Sequence, residues 1–152
     1  MHDPAVRDEA EENFSIEVTD WSTDRNELSQ IRRQVFIEEQ DVPEDLEWDE
    51  LDESSTHFIV TDHKKPIACA RLTTAGQIGR MAVLSEYRGR GIGSRLLQAV
   101  LQAAQQRDLP DVYLHAQVSA IPFYVRHGFT CRGETFSEAG IAHREMIKDP
   151  AI

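Results

Sequence analysis

Residues 80–95 read Arg80-Met81-Ala82-Val83-Leu84-Ser85-Glu86-Tyr87-Arg88-Gly89-Arg90-Gly91-Ile92-Gly93-Ser94-Arg95. An apolar run enters a glycine-rich turn, and the turn opens onto the clearest helix of the chain, residues 92–107. There Leu96, Leu97, Val100, Leu101 and Ala104 recur at helical spacing and form one apolar stripe. Glycines let backbone approach a ligand closely and take conformations that a Cβ forbids. The first N–H groups of a helix lack internal partners, and the helix dipole favours negative charge there. Helix starts commonly hold an acid, yet none lies between Tyr87 and Arg95; Arg88 and Arg90 flank the turn instead. That combination is the chemistry of a phosphate or pyrophosphate cradle.

Spacing separates the kinds of cradle. A P-loop follows its last glycine with Lys and then Ser or Thr, whereas Gly93 is followed by Ser94 and Arg95. A dinucleotide fingerprint spaces its glycines G-x-G-x-x-G near the start of a βαβ unit, and here they run G-x-G-x-G in mid-chain. What remains is Arg-x-x-Gly-x-Gly over residues 88–93.

Outward from the loop, the pattern alternates strands and helices. Phe14, Ile16 and Val18 alternate with polar residues and predict a strand. Thr23 or Asp24 is placed to cap a helix running to about Gln40, with Leu28, Ile31, Val35 and Phe36 on one face. Acids around Pro43 predict a loop with room for a short helical turn. Strands follow at 58–60, 67–73 and 77–84, then the long helix, a strand at 112–114 and a short helix over 119–127 with Pro122 in its first turn. Residues 129–132 and 141–148 predict a final hairpin. The order β α β β β α β α β β, without repeats or a low-complexity linker, predicts one α/β (α+β) domain over residues 14–152. Residues 1–13, polar and acidic, predict a flexible tail.

The net charge of −11 conceals two local fields. Residues 38–53 hold ten acids and no base, while residues 80–95 carry +3. The overall acidity argues against nucleic acid as a partner, which needs clustered Lys and Arg. The acidic run suggests either a solubilising loop or a negative mouth that attracts a cationic amine. No apolar stretch reaches the roughly 18 residues of a membrane helix, and no basic-then-apolar leader opens the chain, so a cytoplasmic, membrane-free protein is expected. Cys69 and Cys131 match no metal or redox spacing, and His115, His127 and His143 lack helical ligand spacing. No metal is expected.

The 88–93 pattern resembles the acetyl-CoA pyrophosphate loop of the GNAT (GCN5-related) N-acetyltransferase family. Phe123-Tyr124-Val125-Arg126-His127-Gly128-Phe129 matches the family's F-Y-x-x-x-G-F helix. Residues 35–40 (Val-Phe-Ile-Glu-Glu-Gln), 78–80 (Ile-Gly-Arg), 114–117 (Leu-His-Ala-Gln) and 138–143 (Glu-Ala-Gly-Ile-Ala-His) are similar to its ElaA-like branch. The resemblance implies the GNAT fold, a mixed twisted sheet of about 6–7 strands flanked by about four helices, with the cofactor cleft where the fourth and fifth strands separate. It implies acetyl-CoA as cosubstrate, bound by Met81, Ala82, Val83 and Arg88, Gly89, Arg90, Gly91, Ile92, Gly93, Ser94. The family's Asn after the fifth strand is missing, and Gln117 or Ser119 stands in its place. Relatives are often dimers, so a homodimer stays open.

The implied reaction moves acetyl to a primary amine, of a small molecule or a peptide, by direct attack in a ternary complex. It needs a neutral amine, a donor for the developing oxyanion near Val83, and a proton for the leaving sulfur. Tyr124 is the expected general acid. Glu38, Glu39 and His143 are candidates for a base or for the acceptor side. The rival reading is a non-catalytic acyl-CoA-binding sensor or scaffold, which would keep the loop and have no need of Tyr124. A nucleotide-binding protein is the weaker rival, since the loop lacks its lysine.

Overall fold

A computed structural model describes residues 14–109 and 111–149; the expected tail 1–13 lies outside them. Seven strands form one sheet: β1 (Phe14–Thr19), β2 (Thr56–Asp62), β3 (Lys65–Leu72), β4 (Gln77–Val83), β5 (Tyr113–Gln117), β6 (Phe129–Glu138) and β7 (Ile141–Lys148). Their order is β1-β2-β3-β4-β5-β7-β6. All neighbours are antiparallel except β4 and β5, which are parallel and need the intervening helix as a crossover. The helices are α1 (Trp21–Arg32), α2 (Glu44–Glu47), α3 (Leu51–Ser54), α4 (Ile92–Gln106) and α5 (Ile121–Arg126).

Phe58–Val60 and Ile67–Leu72 are buried without alternation, as expected of strands covered on both faces. Both α1 and α4 pack on β3. Leu28 and Ile31 of α1, and Leu96, Leu97, Val100 and Ala104 of α4, are buried in this core. The apolar stripe read from the sequence is therefore the face α4 turns to the sheet. Each such side chain withdrawn from water contributes about 1.5–3 kcal/mol before entropy is counted.

The first helix departs from its expected form at both ends. Its N-cap is Asp20, whose carboxylate accepts the Thr23 N–H at 2.8 Å. Asp24 is spent otherwise, taking the Thr19 hydroxyl at 2.6 Å. Beyond Arg32 the chain continues as a π-helix over Arg33–Glu39. Such turns are uncommon and cluster at functional sites. The acidic stretch after Pro43 holds two one-turn helices, α2 and α3, one more than the single short turn the sequence suggests.

One irregularity shapes the cleft. In the β3–β4 ladder Cys69 faces Ala82 but Arg71 faces Gly79, so β4 carries one extra residue. Arg80 sits in that bulge at φ +50°. Only Gln77 and Ile78 pair with β5, opposite Tyr113 and Leu114. Beyond them β4 and β5 diverge.

Candidate active site

The divergence opens a cavity of about 840 Å³. Its walls come from the edge of β4 beyond Ile78, the far ends of β5 and β7, the π-helix, α2 and α5. With no strand partner on that side, the β4 edge has backbone groups free to meet a ligand. Met81, Ala82, Val83, Arg88, Gly93, Gln117, Tyr124 and His143, all singled out in the sequence, line this one space.

The glycine loop closes one end. Gly89 and Gly91 take φ of +80° and +79°, with nothing within 4 Å of where a Cβ would stand. Gly91 is the N-cap of α4 and gives it no side-chain cap, and no acid lies in its first turn. The initial N–H groups of a fifteen-residue helix thus face an open, glycine-lined turn. Arg88 donates from Nε to the Val83 carbonyl at 2.9 Å and grips the Glu39 carboxylate with both terminal nitrogens at 2.7 and 2.8 Å. Arg90 lies over the Tyr87 ring at 5.1 Å. Ser94 shares a hydrogen bond of 3.0 Å with His127. Ile92 is buried in the core, so only its backbone remains for a ligand. The loop therefore fits an acyl-CoA pyrophosphate: uncapped donors, room beside the glycines and two arginines at the rim.

Tyr124, on α5, reaches the cavity opposite β4. Its hydroxyl lies 3.7 Å from Met81 Sδ, and its ring stands edge-on to Phe123 and Phe129. Burial pushes the phenol up to about 12, so it keeps its proton throughout the neutral range. His143 is buried on β7, stacked on Phe136, with Nδ1 2.7 Å from the Ile141 carbonyl. A carbonyl can only accept, so Nδ1 is the donor in this contact, and in that tautomer Nε2 carries the lone pair. Gln117 pairs with His143 across β5 and β7, and its amide donates to Gln40 Oε1 at 2.8 Å.

The two glutamates from the sequence lie elsewhere. Glu38 and Glu39 line a separate hollow with Gln34, Leu84 and Ser85, and Glu39 is occupied by Arg88. Neither thiol lines the cavity, and burial raises Cys69 to about 12. No cluster of three or more His, Cys, Asp or Glu among the described residues is placed to hold a metal.

Sequence reasoning missed the far end. Arg32, 1% exposed, bonds Glu47 at 2.8 Å and Asp52 at 2.8 Å, sandwiched between Trp21 and Trp48 at 5.3 and 5.1 Å. Arg71 reaches Asp49 at 2.7 Å and Asp52 at 2.9 Å. Arg80 reaches the Glu47 carbonyl at 2.9 Å and Asp49 at 3.2 Å. Burial works to raise Asp52, but hydrogen bonds and charge from Arg32 and Arg71 outweigh it and hold the carboxyl below its usual value. Burial raises Glu47, against the pull of Arg80 and Arg32. Three of the run's ten acids, Glu47, Asp49 and Asp52, are thus counter-ions for Arg32, Arg71 and Arg80, and Glu39 and Glu44 pair at the surface with Arg88 and Arg33, so the run is not a bare negative mouth. Its lack of any internal base was the signal that the partners lay elsewhere.

A cleft between splayed parallel strands, fed by a helix N-terminus and a glycine turn, defines a protein of the acyl-CoA N-acyltransferase class. The family description "Acetyltransferase (GNAT) domain" matches residues 7–150, and the chain belongs to that family. It is 37% identical over 123 residues to the uncharacterised N-acetyltransferase YjcF of Bacillus subtilis, covering 78% of this chain and 88% of that one. An acyl-CoA N-acyltransferase from Pseudomonas aeruginosa superposes with a TM-score of 0.82 at 30% identity, over 90% of this chain and 99% of that one. ElaA of Escherichia coli gives a TM-score of 0.82 at 26% identity over 90% and 99%. The seven-stranded mixed sheet is accordingly the GNAT fold.

Proposed function

We propose that the protein transfers acetyl from acetyl-CoA to a primary amine by direct attack, with Tyr124 as general acid and His143 as base. One observation carries the reading: the Tyr124 hydroxyl faces Met81 on the unpaired edge of β4, inside the cavity that the α4 loop closes. Acetyl-CoA supplies an acetyl group activated as a thioester. The β4 edge from Met81 to Val83 aligns that arm, and the α4 N-terminus with Arg88 and Arg90 holds the phosphates. The backbone N–H of Val83, on the open edge of β4, serves the oxyanion.

The nitrogen–carbon bond forms as the carbon–sulfur bond breaks. The proton lost by the amine goes to His143 Nε2, and Tyr124 gives its own to the departing sulfur. His143 is favoured over Glu38 and Glu39 because it shares the cavity with Tyr124. Direct attack is supported because no cysteine lines that space.

The test is an amine panel with release of free CoA as readout. Tyr124→Phe is expected to lower kcat about 10²–10⁴-fold with acetyl-CoA affinity unchanged. An unaltered kcat removes Tyr124 from the mechanism. Acetyl-CoA binding without turnover of any amine returns the protein to the sensor class.

A further inference from the structure

At the far end of the cavity two arginines, Arg71 and Arg80, hold N–H donors that no hydrogen bond answers among the described residues. Arg71 is 4% exposed, and both its acid contacts fall on Nη1. The other edge of its fork meets no acid, and the buried Nε has no hydrogen-bond partner among the described residues. Arg80 repeats the pattern. Its Nη2 is taken by Glu47 and Asp49, while Nε, 3.1 Å from Glu47, is buried without a hydrogen bond among the described residues. Interiors rarely leave such donors unanswered, because each costs its full desolvation. The backbone adds to the cost, since φ +50° at Arg80 is a conformation that residues with a Cβ seldom take.

Both arginines line the cavity. Their three acids, Glu47, Asp49 and Asp52, are matched by Arg32, Arg71 and Arg80, so this end has no surplus acid for a second ammonium. The opposite wall, at the β6–β7 turn, carries His143 and Glu138, whose carboxylate lies 3.2 Å from His115 Nδ1. Guanidinium N–H donors at one end and a carboxylate with an imidazole at the other give the cavity two unlike ends. A diamine would match one half of it only.

We infer that the acceptor is an amine carrying its own carboxylate, an amino-acid-like zwitterion. Its carboxylate seats on Arg71 and Arg80, and its amine points toward Glu138, His143 and Tyr124. The inference rests on the acetyl-transfer reading of the same cavity. Two planar forks are suited to a carboxylate, which accepts paired N–H bonds in one plane.

Matched acceptors test it, using the full chain: 5-aminopentanoate against pentylamine, and lysine against cadaverine. The members of each pair share the amine and chain and differ by one carboxylate. The carboxylate member is expected to be favoured at least about tenfold in kcat/KM, the effect of one charge-assisted hydrogen bond. Arg80→Gln and Arg71→Gln should bring the ratio toward unity. If Arg71→Gln does not fold, the better exposed Arg80→Gln decides alone. A dipeptide ending in lysine distinguishes a peptide C-terminus from a free amino acid.

Calorimetry of each pair in the presence of CoA gives a second readout, with the same preference expected. Equal or better use of the amines without a carboxylate overturns the inference and leaves acetyl transfer standing. Acetyl-CoA binding with neither member of a pair bound or turned over overturns it as well. Failure to bind acetyl-CoA at all sinks the transferase reading along with it.

Discussion

The two ends of the cavity use arginine in opposite ways. At the loop end, Arg88 and Arg90 are exposed, lie two residues apart and sit beside a helix start. Their side-chain partners are one glutamate and one tyrosine ring, and each also donates to a backbone carbonyl, Val83 or Glu86. At the far end, Arg32, Arg71 and Arg80 come from α1, β3 and β4 and meet acids from α2, α3 and the turn between them, with Arg32 and Arg71 buried and Arg80 about one-fifth exposed. Exposed charge is cheap and screened; buried charge is costly unless every group is answered. The loop end can therefore release its arginines to a ligand, whereas the far end must hold its shape to exist. Substitutions should separate the two, chiefly in stability at the far end and chiefly in cofactor affinity at the loop.

The largest expected effect is at Arg32. Arg32→Ala leaves Glu47 and Asp52 buried without their main partner and empties the space between Trp21 and Trp48. A loss of about 3–5 kcal/mol is expected in urea unfolding. A loss below about 1 kcal/mol would mean that the cluster is as loosely held as the loop, and the contrast would fail.

Next come the two carboxylates that Arg32 joins. Asp52 is held below its ordinary value, so its contribution is present above about pH 4 and is lost as pH falls through the lower folded value. Glu47 is displaced upward, so its neutral form is the less penalised one. Asp52→Asn should therefore cost more at neutral pH than Glu47→Gln, and should flatten the acid limb of the stability profile. Equal costs would show the two acids to be equivalent.

The same contrast governs what could be read from the chain. The loop end was legible because its parts are contiguous: the glycines, the uncapped helix and its apolar stripe occupy residues 80–104. The far end was not, because its ion pairs join residues 15 to 33 apart through the bulge at Arg80. Nothing local marks a non-glycine residue as left-handed, and a single extra residue in β4 decides which side chains face the cleft. Tyr124 was found through its F-Y-x-x-x-G-F setting. Its contact with Met81, 43 residues away, belongs to the fold alone. The helix cap moved to Asp20 for a local reason, since Asp20 accepts the Thr23 N–H and Asp24 the Thr19 hydroxyl.

At the loop, Gly91→Ala places a Cβ on a residue at φ +79° and should cost about 1–2 kcal/mol, although the space beside it is open. If the N–H groups of α4 hold the phosphates, as proposed, its effect on CoA affinity should be the greater, because the Cβ intrudes on that turn. A variant that lost stability alone would confine the glycine to a turn.

The smallest stability change is expected at the Arg88–Glu39 pair. Both side chains are about two-fifths exposed, and removing either should shift stability by no more than about 1 kcal/mol. Binding should tell the two apart. If Arg88 serves the phosphates, Glu39 competes with them for the same fork. Arg88→Ala should then weaken CoA binding about tenfold, the effect of removing one charge-assisted hydrogen bond. Glu39→Gln should leave affinity unchanged or raise it a few-fold, because the guanidinium is freed. The gain should shrink as salt rises and screens the pair in the parent protein. If instead the pair is a clamp that fixes the π-helix to the loop, both variants weaken binding alike. Titrating CoA into the two single variants and the double variant separates these outcomes, since a competitor gives opposite signs and a clamp gives the same sign.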